Sequence, residues 1–404
     1  MNDYALSSGA VAASTPDRAA RRRHRAYPTL PDLRAGARRR LPFFAFAYAD
    51  GGAGGDAGIR RNWAAFDAVT LTPQCGTGLG LPSLDTTLFG TRYAAPFGIA
   101  PIGGASLAWP GAEIHFAQAA QAARIPYVLG VAGSLSIEAA ARIAPDVLWF
   151  QLYRFARDDH RVGLDLLHRA AAAGAKALVL TLDVPVRTVR PREAKAGIDA
   201  PFRLDARKLG AMLASPGWLA ALARNGIPRF GALVPYAGAG RHASTLFAKR
   251  EMGGSFTWDE VARYRDQWRG PLVVKGVLAA EDARRAVAIG VDGIVVSNHG
   301  GRQSEILPTS IEALPDIAAA VGGRATLLID SGLRSGTDVV RATSAGADGC
   351  LLGKTFLWSL GALGAAGPAH AIEILRDEAR ATLAQLGVEE PASLRVRSRA
   401  VRSS

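Results

Sequence analysis

PLVVKGVLAAEDARRAVAIGVDGIVVSNHGG, residues 271–301, reads as strand, helix, strand. The apolar runs at 271–277 and 293–299 are rich in valine and isoleucine, and the Ala-rich stretch at 281–289 separates them. Short apolar strands alternating with helical stretches are the mark of βαβ units, whose strands lie parallel. The same alternation extends in both directions. Upstream strands are expected at 96–101, 125–132, 146–153 and 175–183, and downstream strands at 326–331 and 349–354. Helices are expected between them at 112–123, 136–144, 161–173, 310–321 and 337–345. Ser136 with Glu138, Thr257 with Glu260 and Thr337 with Asp338 supply capping oxygens and negative charge at helix starts. Eight strands with their connections predict an α/β fold of the closed (β/α)8 TIM-barrel type rather than an open sheet.

The alternation breaks at 186–256, an insert after the fourth strand. A segment of that length in a compact domain is usually functional or mobile. Leu209, Met212, Leu213, Trp218, Leu219 and Leu222 interleave there with Lys208 and Arg224, which suits either a lid over the barrel mouth or a segment lying on an anionic membrane. Residues 1–28, rich in Ala, Ser and Arg, are expected to be a basic disordered tail. Residues 29–390 are expected to form one barrel domain with an N-terminal helical extension, and 391–404 a second basic tail. The glycines of 51–58 (GGAGGDAG) follow no strand and precede no Lys-Ser/Thr, so they read as a flexible turn and not as a nucleotide loop.

The chain of 404 residues is 49% hydrophobic and carries a formal charge of +13. Nine Arg face three Asp over residues 1–40, and twelve Lys and Arg face three acids over 187–250. The basic excess therefore sits on appendages, as suits contact with an anionic surface; solubilising tails are the plainer explanation. Cys75 and Cys350 lack the spacing of a zinc or redox motif, so a reducing compartment and no metal are expected. No apolar run reaches membrane-spanning length, and Arg21, Arg22, Arg23, His24 and Arg25 stand where a secretory signal would be apolar. A cytoplasmic protein is expected, peripheral on the inner face of the cell membrane if the insert meets lipid.

Barrel enzymes gather their reactive groups at the C-terminal ends of the strands. Those ends carry Gly103, Gln151 and Tyr153, Thr181 and Asp183, Lys275, Ser297, His299 and Arg302, Asp330 and Arg334, and Gly353 and Lys354. In SNHGGRQ (297–303) a histidine precedes two glycines and an arginine, which makes a base beside an anion clamp. Asp183 on the same rim can orient that imidazole and raise its basicity. Lys275 ends an apolar strand, where a buried ammonium needs an anion or a shifted pKa. DSGLRSG (330–336) and Gly353-Lys354 occupy the phosphate position common to barrels after strands seven and eight, so a phosphate-bearing cofactor is expected.

SNHGGRQ, FQLY (150–153), TLDVP (181–185), KG (275–276) and DSGLRSG together closely resemble the FMN-dependent 2-hydroxy-acid dehydrogenases and oxidases, from about Leu41 to about Gly387. The resemblance implies FMN as cofactor and oxidation of an (S)-2-hydroxy acid to the 2-oxo acid. It makes His299 the base and Asp183 its partner. Arg302 and Arg190 would bind the substrate carboxylate with help from Tyr48, and Tyr153 would bond the 2-hydroxyl. Lys275 would face the flavin N1 and O2. Pro101, Ile102, Gly103, Gln151, Thr181 and Ser297 would line the flavin, and Asp330, Gly332, Arg334, Gly353 and Lys354 would hold ribityl and phosphate.

Gly103, LAWP (107–110) and the insert with SPGW (215–218) and SFTW (255–258) are similar to (S)-mandelate dehydrogenase. In its membrane-associated relatives this insert meets the membrane, which implies a quinone or another acceptor in place of oxygen, and a homotetramer is expected. Four positions depart from the family pattern: Lys354 for Arg, Gly130 for Ser, Ile102 for Thr, and PQCG at 73–76. The rival readings are an oxygen-using oxidase or lactate-type enzyme with the same residues and, from a different class, a basic nucleic-acid-associated barrel. The last lacks aromatic interleaving, so no nucleic acid is expected as partner.

Overall fold

The computed structural model describes residues 18–186, 188–198, 202–240 and 242–394. Eight parallel strands close into a barrel: β1 (Phe97–Ile99), β2 (Tyr127–Gly130), β3 (Leu148–Leu152), β4 (Leu178–Thr181), β5 (Leu272–Val277), β6 (Gly293–Val296), β7 (Thr326–Ile329) and β8 (Gly349–Leu352), which pairs back onto β1. Each lies inside the range expected from the sequence. Strands covered on both faces need apolar side chains throughout, and Val273, Val274, Ile294, Val295 and Ile329 are fully buried. In the register Val274 faces Ile294 and Val295 faces Leu328.

The connecting helices also fall where expected, among them Ala112–Ala123, Ile137–Ile143, Ala280–Ile289 and Ser310–Val321. The Ser136 side chain accepts from the Ala139 N–H, and Thr257 and Glu260 complete a reciprocal capping box. The helix Gly336–Ala345 starts two residues earlier than a cap at Thr337 would place it. Its cap is Ser335, whose hydroxyl accepts from the Asp338 amide, so Thr337 is already helical.

Four helices precede the barrel: Arg18–Ala26, Leu30–Arg40, Phe43–Asp50 and Ala57–Asp67. The first corrects the expectation of disorder over residues 1–28, because alanine and arginine favour helix. Its His24 ring meets His370 edge-on, and the Tyr27 carbonyl accepts from the His370 imidazole. The rest of that expected tail, 1–17, and residues 395–404 of the C-terminal one lie outside the described residues. A hairpin of Thr86–Leu88 and Thr91–Tyr93 was not foreseen. Its Phe89 ring packs on Trp149, and a methyl added to Gly293 would strike it at 2.6 Å, so the hairpin covers the barrel's N-terminal end.

The insert is mostly helical, with Pro191–Lys195, Ala206–Leu213, Pro216–Asn225 and Ala243–Glu251. One side packs inward. Trp218 donates to the Ala108 carbonyl at 3.0 Å and meets Phe44 edge-on, while Phe202 packs against the same Phe44. The other side leaves Leu209, Leu213 and Leu246 exposed. Leu209 and Leu213 stand four residues apart on one helix and share its outer face.

Candidate active site

The loop after β6 builds the centre of the site. Asn298 caps a tight 3-10 turn over His299–Gly301, its side-chain oxygen accepting from the Gly301 N–H at 3.1 Å. Asn62 and Asn298 exchange side-chain amide hydrogen bonds at 2.9 and 2.6 Å, so the helix Ala57–Asp67 fixes this turn from outside the barrel. The Gly-rich 51–58 stretch docks on the same loop, the Ala53 N–H donating to the Gly301 carbonyl. His299 adopts φ +58°, a left-handed conformation uncommon for a residue with a side chain. Its amide donates to the Ser297 hydroxyl at 3.0 Å. Strain of this kind persists where the surroundings hold it in place.

The His299 Nδ1 lies 2.9 Å from Asp183 Oδ1. Burial pulls the imidazole pKa below its ordinary 6.5, and the positive charge of Lys275 adds to that, against the pull of Asp183. Asp183 itself is held below the ordinary carboxylate value: burial opposes its charge, but His299 and Lys275 outweigh burial. An ionised Asp183 accepts a hydrogen bond from Nδ1–H, which leaves Nε2 as the basic nitrogen.

Lys275 is buried, with its ammonium 2.9 Å from Ser297 Oγ, 3.1 Å from Asp330 Oδ2 and 3.9 Å from Asp183 Oδ2. Burial alone would lower its pKa, yet Asp330 and Asp183 raise it above 10.5, so it is charged at every working pH. A bulge at Gly276, with φ +102°, brings the strand this close to Asp183. A methyl there would sit 2.4 Å from the Asp183 Cβ, so only glycine fits.

Arg302 and Arg190 come together on the same side. The Arg302 guanidinium donates to the Tyr48 and Gly51 carbonyls at 3.1 and 2.8 Å and lies over the Tyr48 ring. Arg190 donates to the Arg302 carbonyl at 3.2 Å. The Tyr48 hydroxyl donates to the Gly103 carbonyl, and burial raises its pKa. Burial likewise pushes the Tyr153 phenol up to about 12, so it stays protonated as a donor. Sequence reasoning missed Glu193, a buried acid that receives Arg302 at 2.6 Å and lies 3.6 Å from Arg190.

Around the barrel rim Gln151 donates to Thr181 at 2.8 Å. Pro101 and Ile102 are half-buried. A methyl on Gly130 would approach Gln151 Oε1 at 3.3 Å and the Ile102 backbone at 3.6 Å, and one on Gly353 would approach the Ile102 side chain at 3.8 Å. Two of the departures from the family pattern, Gly130 and Ile102, are thus neighbours in space. Asp330 reaches Lys275, and Gly332 at φ +104° packs against Asn62 and Phe66.

The two expected phosphate cations have separate partners. Arg334 pairs with Asp67 at 2.6 Å and lies over the Trp63 ring, while Lys354 donates to the Gly51 and Asp50 carbonyls at 2.6 and 3.3 Å. Burial, and then Arg302, drive the Lys354 pKa well below 10.5. Its side-chain hydrogen bonds are to carbonyl oxygens, and the Arg334 Nε is buried without a hydrogen bond. Gly353 opens the helix Lys354–Leu363 with no side-chain cap. An uncapped helix start, the half-buried Lys354 amine and an unsatisfied guanidine N–H make a donor set that fits the phosphate of FMN.

The profile of the FMN-dependent dehydrogenase family matches residues 37–401. The L-lactate dehydrogenase of Caulobacter sp. (strain K31) is 39% identical over 360 residues, covering 88% of this chain and 94% of the relative. That of Pectobacterium atrosepticum is 38% identical over 369 residues, covering 90% and 94%. Among solved structures, the monotopic membrane protein (S)-mandelate dehydrogenase superposes with a TM-score of 0.86 at 34% identity, covering 91% of this chain and 97% of that one. A mandelate oxidase with (S)-4-hydroxymandelic acid reaches 0.79 at 35% identity, covering 91% and 98%.

Proposed function

Because the chain belongs to the family of FMN-dependent dehydrogenases, we propose that it oxidises a 2-hydroxy acid through a base at His299 and a carboxylate clamp at Arg302 and Arg190. FMN, when bound, supplies the acceptor for the two electrons released as the 2-hydroxy acid becomes the 2-oxo acid. Lys275, Gln151, Thr181, Ser297, Pro101, Ile102 and Gly103 would hold its ring, and Asp330, Gly332, Arg334, Gly353 and Lys354 its ribityl and phosphate.

The observation that carries the reading is the Asp183–His299 contact at 2.9 Å beside a pair of half-buried guanidinia. Arg302 and Arg190 fix the substrate carboxylate, with Tyr48 beside them. Tyr153, a protonated phenol, bonds the 2-hydroxyl oxygen. His299 Nε2 takes the proton that leaves the substrate, and Asp183 stabilises the imidazolium that results. The missing side chain at Gly103 favours a bulky group on C2, such as phenyl.

The test is anaerobic addition of (S)-mandelate or (S)-lactate to the yellow protein. Flavin absorbance is expected to bleach, faster with (S)-mandelate, and to return faster with a quinone analogue than with oxygen. A flavin untouched by either acid would overturn the reading, and rapid recovery with oxygen would make the protein an oxidase.

We also propose that the insert rests on an anionic membrane surface. No helix among the described residues is long and apolar enough to cross a membrane. The exposed Leu209 and Leu213 sit on a segment of strong basic excess, and a monotopic membrane protein is among the structural neighbours. Leu209→Asp combined with Leu213→Asp is expected to abolish co-sedimentation with vesicles containing phosphatidylglycerol, with flavin content unchanged. Undiminished sedimentation would leave the insert as a lid only.

A further inference from the structure

Glu193 lies at the start of the insert, in the helix Pro191–Lys195, and its side chain is 6% exposed. A buried carboxylate without partners is strongly unfavourable, and this one has two guanidinia. Arg302 Nη2 is at 2.6 Å and Arg190 Nη1 at 3.6 Å, both on the same oxygen, Oε1. Arg302 lies over the Tyr48 ring at 5.2 Å and Arg190 donates to the Arg302 carbonyl at 3.2 Å, so the three groups are gathered in one small volume. The cluster of two guanidinia and one carboxylate carries a net charge of +1. The amine of Lys354 shares the Gly51 carbonyl with Arg302, and on the proposed reading it answers the cofactor phosphate.

We infer that Glu193 is a positioning residue that holds Arg190 and Arg302 together and, by cancelling one of their charges, makes the site selective for ligands with a single carboxylate. The inference rests on the assignment of those two arginines to the substrate carboxylate. One carboxylate brings the cluster to neutrality. A second anionic group must be placed close to Glu193 in a poorly solvated site, where charges are weakly screened.

Oxamate and oxalate are a matched pair of probes, nearly equal in shape and different by one charge. Each is titrated into the oxidised holoenzyme, and binding is read from the perturbed flavin spectrum, without turnover. Glu193→Gln keeps the size and an acceptor oxygen for Arg302 but removes the charge. It is expected to favour oxalate over oxamate by about tenfold or more relative to the parent protein, on the scale of one charge at short range in a partly screened site. Glu193→Asp, which keeps the charge, is expected to hold the parent ratio within about threefold.

Equal weakening of both anions in Glu193→Gln would mean a structural role alone and would overturn the inference. If neither anion perturbs the flavin of the parent protein, the assignment of the arginines fails, and the inference with it.

Discussion

Replacing His299 by alanine is expected to leave the purified protein yellow and to slow anaerobic bleaching by a 2-hydroxy acid by about a thousandfold to ten-thousandfold, the upper range for losing a positioned general base. The expectation follows from how the imidazole is held. Its backbone is pinned at φ +58° by a bond from its amide to Ser297, and its Nδ1 is pinned by Asp183. The bond to Ser297 comes from the backbone amide, which alanine keeps, and Lys275 retains its own contacts to Ser297 and Asp330, so the colour should persist. The pH profile supplies a second check. On the proposed reading the reactive form is the neutral imidazole, so the bleaching rate is expected to rise with pH through the His299 pKa and level off above it. Burial and Lys275 place that midpoint below the ordinary 6.5 despite Asp183. A variant that turns over near the parent rate, or a parent acid limb well above 6.5, would remove His299 from the chemistry.

The residues that dominate this prediction were legible in the sequence because strand ends are. A parallel barrel buries both faces of each strand, so every strand announces itself as an apolar run, and the polar residues that end it stand out. The site residues that escaped notice belong to no strand. Glu193 sits among Arg190, Arg192 and Lys195, a spacing that reads as a solvated ion pair on a short helix. Only the fold of the insert against Arg302 buries it. Asn62 is a similar case, since its partner Asn298 is distant in sequence and nothing local marks the exchange of amide bonds between them. The hairpin around Gly90 has strands of three residues, too short for an alternation to show. Lys354 and Arg334 were read together from their places after β8 and β7. Their separate partners, Gly51 and Asp67, lie in the N-terminal extension, whose docking position no motif encodes.

Lys275→Met is expected to cost both stability and cofactor. Methionine fills nearly the same volume, so the loss is one of charge. Asp183 Oδ2 and Asp330 Oδ2 both face the ammonium, and Asp183 Oδ2 has no hydrogen bond at all. Removing the cation leaves Asp330 without its counter-charge and Asp183 with only the His299 imidazole, a change that costs about 3–5 kcal/mol. For a domain of this size that corresponds to a melting temperature lower by about 4–6 °C, read on the flavin-free forms of parent and variant.

The deficit should depend on pH in a definite direction. In the parent, Asp183 ionises below the ordinary carboxylate value, so its contribution is full above that value and fades as pH falls through the depressed one. In the variant the stranded carboxyls gain from protonation, so the gap between the two proteins should narrow on acidification. A gap of equal size at neutral and acid pH would point to lost packing instead of lost charge. On the proposed reading Lys275 also faces the flavin, so the variant should shed FMN on gel filtration. A Lys275→Met protein that stays yellow and melts with the parent would show that neither the carboxylates nor the cofactor depend on this ammonium.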